Sequence, residues 1–468
     1  MRTLFFLLAC LSFASLQAAE LEVKRFGAVG DGLAVETAAI QKAIDECSRL
    51  GGGKVVLRDG RYVTGTIFLK NNVILHLDEN ATILGSTNIA DYADVELFTE
   101  GIGQKMGWCL IGAFDGSNIG IEGPGTIDGR GKELNEARSP SEKRKRPVLL
   151  RFVRCDGVAL SNLQLRSSAM WMAHFSRSAH VNVSKVTIRN HVAANNDGFD
   201  IDSCNGVRIT DCEVDSGDDA LCLKSTYPAP SRNVTVSHCK LKSDCAAIKM
   251  GTESLGGFTD VTITDCEVRG SRFGGINIFS VDGGDVRNIS ISNITMDKVG
   301  TAICLRLGAR LRTFHEGDSP KPVGTMRGVT INNVRAKWSE LPAIIINGIP
   351  GHRIEDVRIE NLDAAVAGGG TSEDAAVSLP EREADYPESR MFGKSLPAYG
   401  LWARHVKGLQ LVHCKVSPIK PDARPFSSTQ DVESMHVDAL ATAVFPAAPP
   451  AAPVPASDRA GRGGPRSN

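Results

Sequence analysis

The sequence predicts an all-β chain wound as a parallel β-helix with a short N-terminal capping helix. Three observations carry that reading. The first is a repeat. VALSNLQL at 158, VNVSKVTI at 181, VRITDCEV at 207, VTVSHCKL at 234, VTITDCEV at 261 and ISISNITM at 289 share one pattern: a short strand, a polar bend, a second short strand. Their spacings are 23, 26, 27, 27 and 28 residues, and self-similarity at such a period marks a solenoid. The second is period-2 alternation of Val, Ile and Leu with polar residues, which lines one row of side chains inside each coil. The third is composition. The 468 residues hold 47 glycines and only 6% aromatics, which suits many tight turns and thin core layers. A solenoid grows along one axis and so escapes the usual size limit of a single core.

Taken in order, the chain opens with MRTLFFLLACLSFASLQAAE. A positive start, an apolar run and small residues at Ala18 and Ala19 form a signal-peptide pattern over residues 1–19, too short to span a bilayer. The expected location is secreted or periplasmic. Leu7-Leu8-Ala9-Cys10 resembles a lipoprotein box but sits very early. Next, TAAIQKAIDECSRL at 37–50 places Ile40, Ala43, Ile44, Cys47 and Leu50 on one helical stripe, stopped by Gly51-Gly52-Gly53. A solenoid needs its open end covered, which this helix does. The coils continue through VTINNVRA at 329, VRIENLDA at 357 and LQLVHCKV at 409. The wider gaps of 40 and 52 residues leave room for insertions or a degenerate coil. Residues 366–398, rich in Gly, Pro and charge, form a long excursion of the kind that carries binding groups. The catalytic body therefore spans 20–430, and the Ala/Pro-rich tail 431–468 is expected to be disordered.

The 53 basic and 54 acidic residues give a net charge of −1, no field for nucleic acid or an anionic membrane. Of 12 cysteines, those at Cys212, Cys239 and Cys266 fall at one repeat position and should stack as small buried hydrophobes. No CxxC pair suggests zinc, and no metal or cofactor is called for. Asn293, Asn333 and Asn361 occupy the bend position, where side-chain ladders form. A monomer is expected.

The chemistry concentrates between Asp197 and Asp219, in NNDGFDIDSCNGVRITDCEVDSGDDALCLKS. Crowded carboxylates raise one another's pKa. Such acids are either solvated strand ends or groups gathered for acid–base work; glycoside cleavage is one chemistry of that kind, needing a protonated carboxyl for the leaving oxygen and a carboxylate for water, about 6.5–9.5 Å apart in inverting enzymes. Asp197 and Asp218 are separated by nearly one coil, so adjacent strands at about 4.8 Å can bring them to flank a sugar. Asp200, Asp202, Asp211 and Asp215 read as solvated bend acids.

The opening VKRFGAVGDG and the pair NNDGFD and SGDDALCLKS resemble glycoside hydrolase family 28, the polygalacturonases and their relatives, over roughly residues 21–420. The resemblance implies a right-handed parallel β-helix and inverting hydrolysis of a pectic polysaccharide or oligosaccharide. It makes Asp218 the general acid, with Asp197 and Asp219 positioning and deprotonating water. Two motifs of the family are absent. Cys245 or Ala246 stands where a Gly-His-Gly histidine belongs, and Asn277 and Phe279 replace the cations of an Arg-Ile-Lys that grips a uronate. A bound carboxylate wants a paired cation, so the two absences argue against ordinary polygalacturonan cleavage and leave the pectic substrate, of galacturonan or rhamnogalacturonan type, open. Lys249, Lys224, Arg404 and His405 are candidate substitutes, each with an alternative as ordinary surface charge. Trp171 either stacks on a sugar or packs in the core. A lyase-like eliminase with Ca²⁺, or a non-catalytic glycan-binding β-helix, are the competing readings; unsaturated products would mark the first and binding without turnover the second.

Overall fold

The computed structural model describes residues 19–438; the expected signal peptide (except Ala19) and the tail beyond 438 lie outside the described residues. The chain winds as stacked coils whose strands pair in parallel with the coil before and the coil after. One ladder forms the floor of the site. Its strands are β1 (Lys105–Phe114), β2 (Val148–Val153), β3 (Ala173–Ser176), β4 (Phe199–Asp202), β5 (Leu221–Ser225), β6 (Ala246–Ser254), β7 (Gly274–Ser280), β8 (Ile303–Leu307), β9 (Ile344–Asn347) and β10 (Leu401–Val412). Inward positions such as Phe199, Ile201, Leu221, Leu223, Ile248, Met250, Ile276 and Ile278 are buried in one continuous apolar core. Outward positions of the same strands carry the polar groups described below.

The bends explain the repeat's polar centre. Asp211, His238, Asp265, Asn293, Asn333, Asn361 and His413 all have φ between 51 and 56°. That left-handed conformation costs most L-residues energy, and Asn and Asp tolerate it best. The expected asparagine ladder is present in part. Asn293 Nδ2 donates to Asp265 Oδ1 at 2.9 Å and Asn333 Nδ2 to Asn293 Oδ1 at 2.8 Å. Asn361 instead donates to Asn332. Cys212, Cys239 and Cys266 are buried as expected, and the 11 described cysteines are all free thiols.

Helix α1 (Thr37–Arg49) buries Ile40, Ala43, Ile44 and Cys47 against the first coil. Leu50 departs from the expected stripe and is 43% exposed. The helix ends at Arg49, and Gly51 and Gly52, with φ of 97 and 115°, turn the chain away. The two wide gaps are insertions. Residues 300–325 form one and 369–400 the other, the latter holding only a single helical turn (Ser372–Ala375). The coils also pass the expected boundary at 430: strands Ser427–Glu433 and His436–Asp438 pair with β10 and extend the stack to 438.

Replacing Asn333 with Ala should lower stability by about 1–2 kcal/mol, because alanine pays the left-handed penalty and loses the ladder bond. A urea midpoint unchanged from wild type would remove the ladder from the fold's stabilising contacts.

Candidate active site

Asp197 precedes β4, and Asp218 and Asp219 precede β5, so the ladder itself aligns them. Met172 N donates to Asp197 O at 3.1 Å, and Gly198 N donates to Asp219 O at 2.8 Å. Gly198 is required there, since a Cβ would stand 2.3 Å from Ala220 O. Buried Asn190 and Asn196 pin the turn from below: Asn190 donates to Asp197 O and Met170 O, and Asn196 to Ser168 O and Met170 O. Ser216 and Ser243 both donate to Asp218 O. The side chains converge, with one oxygen from each of Asp197, Asp218 and Asp219 lying within 4.8 Å of the others. These nearest oxygens stand closer than the separation expected of an inverting pair from the sequence, because the acids lie just ahead of neighbouring strands at ladder spacing.

Two lysines offset this charge. Lys249 Nζ donates to Asp219 Oδ2 at 2.7 Å and to Tyr386 Oη at 3.4 Å. Lys224 Nζ lies 3.4 Å from Glu253, 3.5 Å from Asp200 and 4.0 Å from Asp197. Both lysines are buried. Burial opposes their charge, yet the surrounding anions outweigh it and hold both well above the ordinary lysine range. Burial and the neighbouring Asp200 and Asp218 push Asp197 well above the carboxylate range. Burial and Asp219 raise Asp218. Burial pushes Asp200 up to about 8 even with Lys224 beside it. For Glu253, burial acts upward, but Lys224 and Arg310 win and bring it down to about 2. The cluster thus holds protons on some carboxyls while others stay ionised, the condition for paired acid and base roles.

Two of the four acids read as solvated are buried. Asp200 is 0% and Asp202 1% exposed. They lie on the outward face of β4, which insertions cover; Asp202 accepts from Thr226 N and Oγ1. Asp211 is exposed at its bend, and Asp215 is half-buried between His191 and Lys242.

Lys224 and Lys249 therefore join the trio, and Trp171 does so from beneath. Its ring is 2% exposed, packs with Phe98 and Met106, and lies 4.5 Å from Lys224 Nζ. It positions the ammonium and borders the same recess as the three aspartates. Arg404 and His405 do not reach the trio. They sit five ladder steps from β5, about 24 Å at 4.8 Å per strand. Arg404 donates to Leu379 O and Pro380 O, and His405 pairs with Asp431 at 2.7 Å and lies 3.3 Å from Glu381. Both hold the excursion in place.

Three contributors escaped the sequence reading. Glu253 lies on the same face of β6 as Lys249, four residues on, so alternation pointed to it. Tyr386, 137 residues from Lys249 along the chain, and Glu100, next to the Gly101 that lies 152 residues from Glu253, arrive from insertions, and no local pattern marks them.

Insertions also close the floor at both ends. On one side the strand Asp94–Thr99 pairs antiparallel with β1 and lays Phe98 over Trp171 and His174. Its tip crosses the site: Gly101 N donates to Glu253 Oε1 at 2.8 Å, and Arg310 and Arg312 donate to Gly101 O at 3.1 and 2.6 Å. On the other side Phe392 and Leu396 of the excursion pack on Phe279, Cys304, Ile345 and Trp402. Against the excursion lies a cavity of about 140 Å³ bordered by Asp218, Asp219, Cys245, Ala246, Lys249, Phe273, Asn277, Phe279, Tyr386, Pro387 and Glu388. A smaller recess adjoins it under the Gly101 tip, where Glu100, Trp171, Asp197, Lys224 and Glu253 join Asp218, Asp219, Lys249 and Tyr386.

Residues 77–382 match the family described as glycosyl hydrolases family 28. The chain belongs to that family. It is a glycoside hydrolase by descent. It is 29% identical over 365 residues to a probable polygalacturonase of Vitis vinifera, covering 73% of each chain. It is 25% identical to an endo-polygalacturonase of Pectobacterium parmentieri over 70% of this chain and 83% of that one. Among solved structures, an exopolygalacturonase from Thermotoga maritima superposes with a TM-score of 0.63 at 25% identity, over 75% of this chain and 87% of that one. A family 28 exopolygalacturonase from Yersinia enterocolitica gives 0.70 at 17% identity over 90% and 78%, a likeness of fold.

Two predictions follow from the charges. Lys249→Met leaves Asp219 buried without its partner and should cost about 3–5 kcal/mol in chemical denaturation. Asp200 takes up its proton more readily folded than unfolded, so its contribution is full below about pH 4 and is lost as pH rises towards 8. Asp200→Asn should therefore raise the melting temperature at pH 8 more than at pH 5; an equal change at both would mean that Asp200 titrates alike in both states.

Proposed function

We propose that the chain hydrolyses glycosidic bonds of a pectic polysaccharide or oligosaccharide, of galacturonan or rhamnogalacturonan type, and releases sugar from a chain end. The observation that carries this is the convergence of Asp197, Asp218 and Asp219 with two buried lysines in a walled cavity. Asp218 is the least buried of the three and borders the cavity. With its raised affinity for a proton it serves as the acid that protonates the leaving oxygen. Asp219, ion-paired with Lys249, is the carboxylate that takes the proton of the attacking water, and Asp197, which burial and its acidic neighbours push towards its protonated form, orients that water. Crowding places the proton: three carboxyls this close cannot all ionise, so one stays protonated at working pH.

End action follows from the walls. A polymer threading through the site would need an open floor on both sides of the acids. Phe98 and the Gly101 tip occupy one side, and the excursion occupies the other. The apolar N-terminal stretch supports export to where such polymers occur.

Asp218→Asn and Asp197→Asn should each reduce turnover by about 10²–10⁴-fold with folding unchanged; a variant at full rate would lose its assigned role. Products of wild type on a panel of pectic oligosaccharides should be reducing ends without ultraviolet-absorbing unsaturated sugar, and absorbance would transfer the chain to the eliminases. The first-formed anomer, read by proton NMR, should be opposite to that of the bond cleaved. Retention would recast one of the two other aspartates as a nucleophile. A ladder of internal fragments early in the reaction would refute end action.

A further inference from the structure

The pocket's charge inventory says more about the sugar it accepts. In the recess under the Gly101 tip five carboxyls, Glu100, Asp197, Asp218, Asp219 and Glu253, share a lining with only two cations, Lys224 and Lys249. The adjoining cavity shares Asp218, Asp219 and Lys249 with it and adds Glu388, with no further cation. Both cations are already matched: Lys249 by Asp219 at 2.7 Å, Lys224 by Glu253, Asp200 and Asp197 at 3.4 to 4.0 Å. Even with Glu100, Asp197 and Asp218 all protonated, two carboxylates face two ammoniums, and every further ionisation makes the lining negative. The cations beside the recess, Arg310, Arg312 and Arg146, are spent on structure. Arg310 pairs with Asp282 and, with Arg312, holds Gly101 O; Arg146 binds Gln104, Asn195 and the carbonyls of Ala169 and Ala194. The positions facing the cavity from β7 are Asn277 and Phe279, and Asn277 Oδ1 is buried without a hydrogen-bond partner. Cys245, Phe273, Phe279 and Pro387 make the rest of that wall largely apolar.

We propose that the pocket selects an uncharged terminal sugar, a neutral hexose, deoxyhexose or uronate ester, and excludes a free uronate. This rests on the end-acting hydrolase reading above. A buried carboxylate without a free cation lacks the charge-assisted bonds that make such sites bind, whereas the unpartnered Asn277 oxygen accepts from a sugar hydroxyl. Charge outside is a different matter: Arg272 is exposed, with its guanidinium 5.1 Å from the Phe273 ring at the cavity's edge. A neutral sugar inside is thus compatible with an acidic chain trailing into solvent.

The test is a matched pair: one oligogalacturonide with its terminal uronate as the methyl ester, and the same compound as the free acid. Wild type is assayed for kcat/KM at low and high salt, and binding to Asp218→Asn is measured by calorimetry. The ester should be preferred at least 10-fold in both readouts, at low and high salt alike, because buried charges are screened little. Equal or better use of the free acid would overturn the inference and leave the hydrolase reading standing. A binding preference for the ester without cleavage would keep the inference and remove the hydrolase reading. Binding of neither form would remove both.

Discussion

The pitch of the stack governs this molecule. Parallel strands bonded coil to coil stand about 4.8 Å apart, and any side chain repeated on the outer face meets its neighbour at that distance. For apolar side chains inside the coil the pitch gives close packing. For acids outside it forces an electrostatic debt, and Lys224 and Lys249 exist in the pocket because that debt has to be offset. Each lysine lies on the strand after the acids it serves, Lys224 on β5 beside Asp197 and Asp200, Lys249 on β6 beside Asp219. Charge compensation therefore runs along the stack as the packing does.

This arrangement fixes how protons are shared. A carboxyl that is buried next to other carboxyls keeps its proton, and one that meets an ammonium loses it. Asp200 and Glu253 sit on opposite sides of Lys224 and go opposite ways, one up to about 8 and the other down to about 2. The difference lies in Arg310 and the Gly101 amide, which attend Glu253 and not Asp200. The walls of the pocket thus do electrostatic duty as well as excluding solvent.

The coils, the capping helix and the aspartate trio were legible in the sequence because each obeys a local rule. Alternation told inside from outside, so Lys249 was placed beside the acids from AAIKMG alone. The bends were readable because a left-handed φ narrows the choice of residue. What stayed hidden depends on chain segments far apart in sequence. Asp200 reads as a bend acid until insertions cover it, Arg404 and His405 read as groove cations until the excursion is seen resting on them, and Tyr386 has no pattern at all. Trp171 was undecided because its neighbours Phe98 and Met106 come from another strand pair. Solenoid rules describe contacts between successive coils, and the pocket's walls break that neighbourhood.

The excursion and the Gly101 tip are held mainly from outside the catalytic strands. Carbonyls of residues 379–382 rest on the buried guanidiniums of Arg306 and Arg404, and the opposite tip hangs on Gly101. Neither insertion contributes a rung to the ladder between β4 and β6. The molecule is therefore built in two grades of part: a rigid chassis that sets the reaction, and interchangeable fittings that set what may enter. Lineages could refit such an enzyme for new sugars by lengthening or trimming a loop, leaving the chemistry untouched.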